Sequence, residues 1–136
     1  MLQRVQTIWM LLAAIAIFLT LKLSFYSGTL ISDTTYHHLM ATDNLLLMVL
    51  TSALGSAIVI NIFLYNYRPV QVKICIAAII TEMVILLLYI LQLKNFSTGT
   101  FDLWSAFHIV TLIGLIMALI GIKKDEKLVK DSNRLR

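Results

Sequence analysis

The chain has 136 residues, of which 60% are hydrophobic and only 13% are charged. A soluble domain has about a quarter of its residues charged, so a chain this apolar cannot cover its exterior with groups that water solvates. The composition therefore excludes an ordinary soluble protein and indicates a membrane protein. The net charge is +4, and the single cysteine, Cys75, excludes an internal disulfide and a cysteine zinc cluster.

Hydropathy divides the chain into four apolar segments, each near the roughly 20 residues that a helix needs to cross a bilayer. Continuous apolar runs favour helices, because membrane strands need closed barrels with alternating polarity. We therefore predict an all-α fold, a polytopic bundle of four transmembrane helices at about residues 8–25, 44–65, 72–93 and 103–122. Residues 1–122 form the transmembrane domain in this interpretation, and residues 123–136 form a basic cytoplasmic tail.

The first apolar segment is predicted to be an uncleaved helix. Its apolar stretch is longer than that of a typical secretion signal, and no A-x-A cleavage site follows it. Lys22 then lies close enough to the outer surface for its side chain to snorkel. Pro69, in YNYRPVQ, marks a turn between the second and third segments.

The distribution of Lys and Arg predicts the orientation in the membrane. An even number of crossings places both termini on one side, which then carries nine of the eleven basic residues. Only Lys22 and Lys94 lie on the other side. Because short basic loops stay in the cytoplasm, both termini are predicted to be cytoplasmic.

The two ends of the chain carry a family resemblance. MLQRVQTIWMLLAAIAI and GIKKDEKLVKDSNRLR resemble the corresponding ends of a family of small, uncharacterised four-helix membrane proteins of the Bacteroidota, and the turn NYRPVQVKICI is similar too. The matching positions are Gln3, Arg4, Gln6, Thr7, Lys124, Asp125, Glu126, Leu128, Val129, Arg134, Leu135 and Arg136. The resemblance implies a four-helix protein of a bacterial inner membrane, and it implies no activity.

The tail after Gly121 has six basic and three acidic residues, and two interpretations stay open. It is either an orientation anchor that keeps the C-terminus in the cytoplasm, or a docking peptide for a protein partner. Interspersed acids weaken attraction to anionic lipid, which favours docking, although mixed charge also simply solvates a helix. If the fourth helix continues into water, Glu126 and Lys130 form a favourable pair one turn apart. The candidate partner-binding residues are Arg4, Lys124, Asp125, Glu126, Leu128, Arg134, Leu135 and Arg136.

Four polar residues are predicted inside the membrane: Glu82, Tyr89, His108 and Lys22. Counting at 1.5 Å per residue puts Glu82 near mid-membrane, where a neutral carboxyl that donates a hydrogen bond is expected. Cys75, Ala78 and Tyr89 share its helical face by spacing. His108, Tyr89 and Lys22 come out at a common depth nearer the outer surface, so these three could meet.

Two hypotheses follow for these polar groups. One is a proton or substrate path from Glu82 through Tyr89 to His108, since relays need titratable groups one or two waters apart. Such a path also needs a group that opens to the cytoplasm, and Asn61 is the one that the sequence offers. The other hypothesis is structural: Glu82 and His108 each satisfy a neighbour across helices, within the bundle or at a subunit contact.

Small residues at four-residue spacing indicate close helix packing, as in Ser52 with Ser56 and Gly114 with Ala118. The pattern favours internal packing over contact with another chain.

The sequence predicts no metal, cofactor or nucleic acid site. Asp33, His37, His38 and Asp43 lie in one outer loop, but adjacent histidines rarely point at one ion. Nucleotide loops, HExxH, a nucleophile elbow and paired catalytic carboxylates are absent from the sequence. The tail is too short and mixed in charge for nucleic acid.

We therefore expect a non-enzymatic accessory or scaffold subunit of a larger inner-membrane complex, with protein translocation or envelope biogenesis as a natural host. Its expected partners are membrane lipids and a membrane protein. The alternative is a small proton- or ion-coupled transporter, a homo-oligomer that uses Glu82 and His108.

Overall fold

The structure, a computed structural model, describes residues 2–32 and 35–134, with side chains for residues 5–32 and 35–132. Within these residues the chain forms four α-helices, three short strands and two single-turn 3₁₀ helices. The helices are α1 (Leu2–Thr20), α2 (Leu45–Phe63), α3 (Arg68–Leu93) and α4 (Ala106–Arg134). The strands are β1 (Tyr26–Leu30), β2 (Tyr36–Leu39) and β3 (Phe96–Phe101), and the 3₁₀ helices are Ala41–Asp43 and Leu103–Ser105.

The mostly helical fold predicted from the sequence is confirmed. Three helical segments of the described chain are long and apolar enough to cross a membrane: Leu45–Phe63, Arg68–Leu93 and Leu103–Ser132. The apolar part of α1 is the shorter Val5–Leu19. Asn44 caps α2, since its side chain accepts a hydrogen bond from the Leu46 amide at 2.9 Å. Pro69 lies in the first turn of α3, where a backbone N–H would have no partner within the helix, so proline is tolerated there.

The all-α prediction missed a small antiparallel sheet with strand order β2-β1-β3. The sheet is built from the two segments that were predicted as outer loops. The first helix also ends earlier than predicted, since α1 stops at Thr20. Gly28 of β1 lies opposite Gly99 of β3, where an added Cβ would overlap the neighbouring backbone. The Tyr26 ring covers Gly99 and meets Phe96 and Phe101 edge-on. The two glycines, covered by the Tyr26 ring, therefore let β1 and β3 lie closer together than residues with a Cβ would allow.

The bundle has apolar outward faces, and its mostly hydrophobic core also holds several polar side chains. Ile8, Ile60, Ile80, Ile90 and Ile109 are each between 58% and 60% exposed, on outward faces of all four helices. The buried side chains include the polar residues Gln6, Thr51, Asn61, Gln71, Glu82, His108 and Thr111. Water would favour the reverse arrangement, so these outward faces suit lipid.

Buried positions recur on each helix with heptad spacing. On α3 they are Gln71, Cys75, Ala78, Glu82, Ile85 and Tyr89, and on α2 they are Leu47, Thr51, Leu54, Ile58 and Asn61. Alternating steps of three and four keep one face of a helix towards its neighbours. Each helix packs on the next in the chain, and α1 closes the ring by packing on α4.

Helices α1 and α4 approach each other most closely at two glycines. A Cβ added to Gly114 would lie 3.0 Å from both Ala13 Cβ and the Trp9 carbonyl oxygen, and one added to Gly121 would lie 3.2 Å from Gln6 Cβ. Gly114 and Gly121 are one heptad apart, as are Gln6 and Ala13, so the two helices pair antiparallel over at least two turns. Of the small residues noted in the sequence, Gly114 and the fully buried Ala118 thus serve packing within the chain.

One end of the bundle carries the sheet, and we call it the sheet end. At the other, which we call the tail end, α1 begins, α2 turns into α3 and α4 leaves the bundle. The α1–α4 pairing places the start of α1 level with Asp125. Residues 126–134 therefore continue as helix for roughly 13 Å beyond α1, at 1.5 Å per residue. The predicted tail is thus a continuation of α4.

Substituting Gly114 with Ala should destabilise the bundle by about 1–2 kcal/mol, because its new Cβ meets a backbone oxygen and another Cβ. Gly55→Ala is the matched control: its Cβ would meet the Phe18 ring, which is 40% exposed and free to turn away. Unfolding free energies in detergent or bicelles measure both. An equal loss for the two variants would contradict the proposed α1–α4 contact.

Candidate functional site

The most polar contact inside the bundle joins Glu82 of α3 to His108 of α4. His108 Nδ1 lies 2.8 Å from Glu82 Oε1, and the two residues are 1% and 0% exposed. The heptad face of each helix carries its residue into the core. The structure therefore brings together two of the four polar residues predicted in the membrane, across helices.

Tyr89 lies beyond this pair on the side of the sheet. Its ring meets the His108 ring edge-on with centroids 5.2 Å apart, and its hydroxyl has no hydrogen-bond partner among the described residues. The hypothetical path placed Tyr89 between Glu82 and His108, whereas these two residues touch directly and Tyr89 follows them.

Phe25 closes the site from the sheet end. Its ring stacks on Tyr89 with centroids 4.3 Å apart and meets His108 edge-on at 5.5 Å. Its backbone is held on both sides, since its amide donates to the Leu39 carbonyl and its carbonyl accepts from the Asp102 amide. Phe25 was predicted at the end of the first helix, but it lies just before β1 and acts as a lid over the buried pair.

A polar network surrounds this lid. The Asp102 carboxylate accepts hydrogen bonds from the Ser24 and Ser27 hydroxyls, and Ser27 Oγ lies 2.7 Å from His38 Nδ1. Outside it opens a vestibule of about 320 Å³, lined by Leu30, His37, His38, Leu39, Asp43, Gln92, Asn95 and Phe96. The sheet end therefore carries polar groups at its surface, with the aromatic rings of Phe25 and Tyr89 beneath them.

Thr51 of α2 lies at the level of Glu82. The register of α2 against α3 follows from Asn61 and Gln71, which bond each other near the tail end. Glu82 Oε2 and Thr51 Oγ1 are both buried and have no hydrogen-bond partner among the described residues. Leaving such an atom unpaired costs about 1–3 kcal/mol, so both oxygens are open to a further hydrogen-bond partner.

A second polar cluster lies at the tail end, separated from the first by apolar side chains. Asn61 Nδ2 donates to the Gln71 carbonyl and to Cys75 Sγ, at 3.3 and 3.2 Å, and Gln71 Nε2 returns a bond to the Asn61 carbonyl at 3.1 Å. Asn61 therefore links α2 and α3 inside the bundle. The path hypothesis required Asn61 to reach the surface at the tail end, but its side chain is buried.

The candidate partner-binding residues lie at and beyond the tail end. Asp125 forms an ion pair with Arg68 of α3, 3.0 Å from Nε, while Lys124, Glu126 and Leu128 are exposed. The side chains of Arg4 and Arg134 lie outside the described residues, as do Leu135 and Arg136. Lys22 is exposed in the turn after α1 and does not join Glu82, Tyr89 or His108.

The residues considered for a metal are engaged in separate local contacts. His37 Nε2 lies 2.6 Å from Thr35 Oγ1, and Asp43 accepts a bond from the Met40 amide at 2.7 Å. Asp33 lies outside the described residues. Among the residues that the structure describes, no group of three His, Cys, Asp or Glu could hold an ion.

Sequence reasoning missed Thr51, Gln71, Phe25 and Arg68. Gln71 shares the heptad face of Glu82, and that spacing could have identified it. Arg68 pairs with Asp125 of another helix, and Thr51 is placed by the register of α2 against α3. Spacing along one helix reveals neither. Phe25 could not be identified as a site residue from the sequence, because the sheet that positions it was not predicted.

The chain belongs to a family described as a domain of unknown function (DUF4293), whose profile matches residues 2–135. This agrees with the resemblance to an uncharacterised family. No curated protein and no solved structure matches the chain.

A double-mutant cycle tests the energy of the buried pair. Glu82→Met and His108→Leu should each destabilise by about 1–3 kcal/mol, because each leaves a buried polar partner unpaired. The double variant should lose less than the sum, since an apolar pair leaves no orphan. Unfolding free energies of all four proteins give the coupling, and purely additive losses would show that the contact contributes nothing.

Proposed function

We propose that this protein is a non-enzymatic accessory or scaffold subunit of a larger complex in the bacterial inner membrane. In this proposal all four helices cross the bilayer, both termini are cytoplasmic, and the tail end of the bundle faces the cytoplasm. The host machine would be one for protein translocation or envelope biogenesis.

The arrangement of charge supports this orientation. Arg68 and Lys73 begin α3 at the tail end, and the basic residues of the α4 extension lie beyond the same end. Positively charged segments next to a membrane span stay in the cytoplasm. The sheet end, with Lys22 and Lys94 as its basic residues, then faces the opposite compartment.

The observation that carries the proposal is the helical extension of α4. A tail that only fixed orientation would need neither order nor apolar residues. Here residues 126–134 continue α4 without a break, and the Arg68–Asp125 ion pair ties α3 to α4 where the extension begins. Leu128 and Val129 are 49% and 39% exposed on a segment otherwise rich in charge. A fixed helix with apolar side chains among basic ones suits docking to a protein.

The partner surface implied by this helix is acidic with an apolar patch. Asp125 is already paired with Arg68, so the acids left on the extension are Glu126 and Asp131, against Lys127, Lys130 and Arg134. A groove of about 360 Å³ runs between the extension and the α2–α3 turn, lined by Asn66, Arg68, Pro69, Glu126, Val129 and Lys130. A partner that enters this groove would contact both elements.

The direct Glu82–His108 bond favours the alternative, a proton- or ion-coupled transporter. The layer between Glu82 and the Asn61–Gln71 cluster weighs against it, because Leu54, Ala78 and Leu115 are buried there and the Thr111 hydroxyl is bonded to a carbonyl of its own helix. We therefore prefer the scaffold.

Truncation after Asp125 should release the partner proteins while leaving the bundle intact. The truncated chain keeps the Arg68–Asp125 ion pair and loses the exposed helix. Full-length and truncated proteins, purified in mild detergent, are compared by quantitative mass spectrometry of what stays bound. We expect a loss of roughly tenfold or more for specific partners, equivalent to about 1.4 kcal/mol.

Glu82→Gln is the matched control, because it keeps a hydrogen-bonding group and removes the titratable carboxyl. It should retain all partners of the full-length protein. If full-length protein instead purifies as an oligomer of itself alone, and Glu82→Gln abolishes pH-dependent flux in vesicles, the scaffold proposal fails and the transporter replaces it.

A further inference from the structure

We propose that the Glu82–His108 pair is a proton-binding site that exchanges protons with the compartment at the sheet end and is closed towards the tail end. This inference goes beyond the scaffold role and does not depend on it. It concerns a site within the bundle, whereas the scaffold role concerns the extension of α4.

The pair can bind a proton without rearranging the bundle. With one shared proton, Glu82 Oε1 and His108 Nδ1 form the observed 2.8 Å hydrogen bond, either as a neutral pair or as an ion pair. A second proton, taken from water, gives a carboxylic acid beside an imidazolium. Glu82 Oε2 has no hydrogen-bond partner among the described residues, so this oxygen is free to receive the second proton.

Towards the sheet end, the pair is covered by aromatic rings rather than by several apolar layers. The His108 ring meets the Tyr89 ring edge-on with centroids 5.2 Å apart, and the Tyr89 hydroxyl has no hydrogen-bond partner among the described residues. The Phe25 amide donates to the Leu39 carbonyl, and Leu39 and Asp43 line the vestibule. The obstacle on this route is the single ring of Phe25, which stacks on Tyr89. A displacement of one side chain would connect the pair to solvent.

The route towards the tail end is blocked by several apolar layers. Glu82 and Gln71 are eleven residues apart on α3, roughly 16 Å at 1.5 Å per residue. The core between them holds Leu54, Ile58, Ala78, Leu115 and Ala118, all less than 5% exposed. The thiol of Cys75 is engaged by Asn61, and the Thr111 hydroxyl is bonded to the Phe107 carbonyl. An ion cannot cross such a layer cheaply without water or polar partners.

The titratable groups around the pair lie on the same side. Tyr89 comes from α3, Asp43 from the 3₁₀ helix before α2, Asp102 from the segment before α4, and His38 from β2. The described core faces of α1 and α2 near this level present Thr20 and Thr51, which do not titrate. The titratable groups that act electrostatically on a proton at the pair therefore come from the sheet end.

The test compares two substitutions that each shorten an apolar side chain, one on either side of the pair. The full-length protein, labelled with ¹⁵N-histidine, is placed in lipid nanodiscs, and NMR measures exchange of the His108 ring proton with water. His108→Gln assigns the signal among the three histidines. Phe25→Ala should accelerate exchange by roughly tenfold or more, because it opens the lid. Leu115→Ala removes a comparable apolar group from the blocked side and should leave the rate unchanged.

Unfolding free energies of both variants separate local opening from general instability. Tyr89→Phe provides a second measurement that keeps the packing and removes the hydroxyl, and it should slow exchange in an otherwise folded protein. The proposal is overturned if Leu115→Ala accelerates exchange as much as Phe25→Ala, or if Tyr89→Phe and Phe25→Ala both leave the rate unchanged. These outcomes are independent of whether truncation after Asp125 releases partners.

Discussion

The structure depends on one constraint: a polar group inside a bundle whose outward faces are apolar has only the chain itself to supply its partner. Isoleucines cover the outward faces of the helices, so Glu82 cannot turn outwards to water. His108, on the facing helix, satisfies it at 2.8 Å. Asn61 and Gln71 solve the same problem by bonding each other's backbone carbonyls. These contacts fix the rotation and register of α3 against both of its neighbours.

The glycines of α4 connect this constraint to both ends of the molecule. Gly114 and Gly121 let α4 lie close against α1 along its length, so α4 can act as one rod. At the sheet end it carries His108, under the lid formed by Phe25 and Tyr89. At the tail end it carries Asp125, paired with Arg68, and then leaves the bundle. A change at the buried pair and a change at the extension therefore act on the same helix.

Hydropathy was sufficient to predict the helices, because each is built around an apolar run. It could not predict the sheet, whose strands have four to six residues, include glycines and pair segments that are distant in sequence. Residue counting placed Glu82 and His108 at different depths, because it measured each from the end of its own helix. Their bond depends on how α3 and α4 are staggered, which a single sequence does not specify. Tyr89 shares the face of Glu82 as its spacing predicted, yet its neighbour Phe25 arrives from another element.

The central claim is that lipid is the solvent of this bundle and that the sheet and the tail lie on opposite sides of it. The native Cys75 is buried, so a cysteine introduced at an exposed position can be labelled selectively. The direct measurement labels Lys124→Cys and His37→Cys in intact cells and in inverted vesicles with a reagent that does not cross membranes. The account predicts that Lys124→Cys reacts only in inverted vesicles and His37→Cys only in intact cells whose outer barrier is permeable to the reagent. Reaction of both positions from the same side would contradict it.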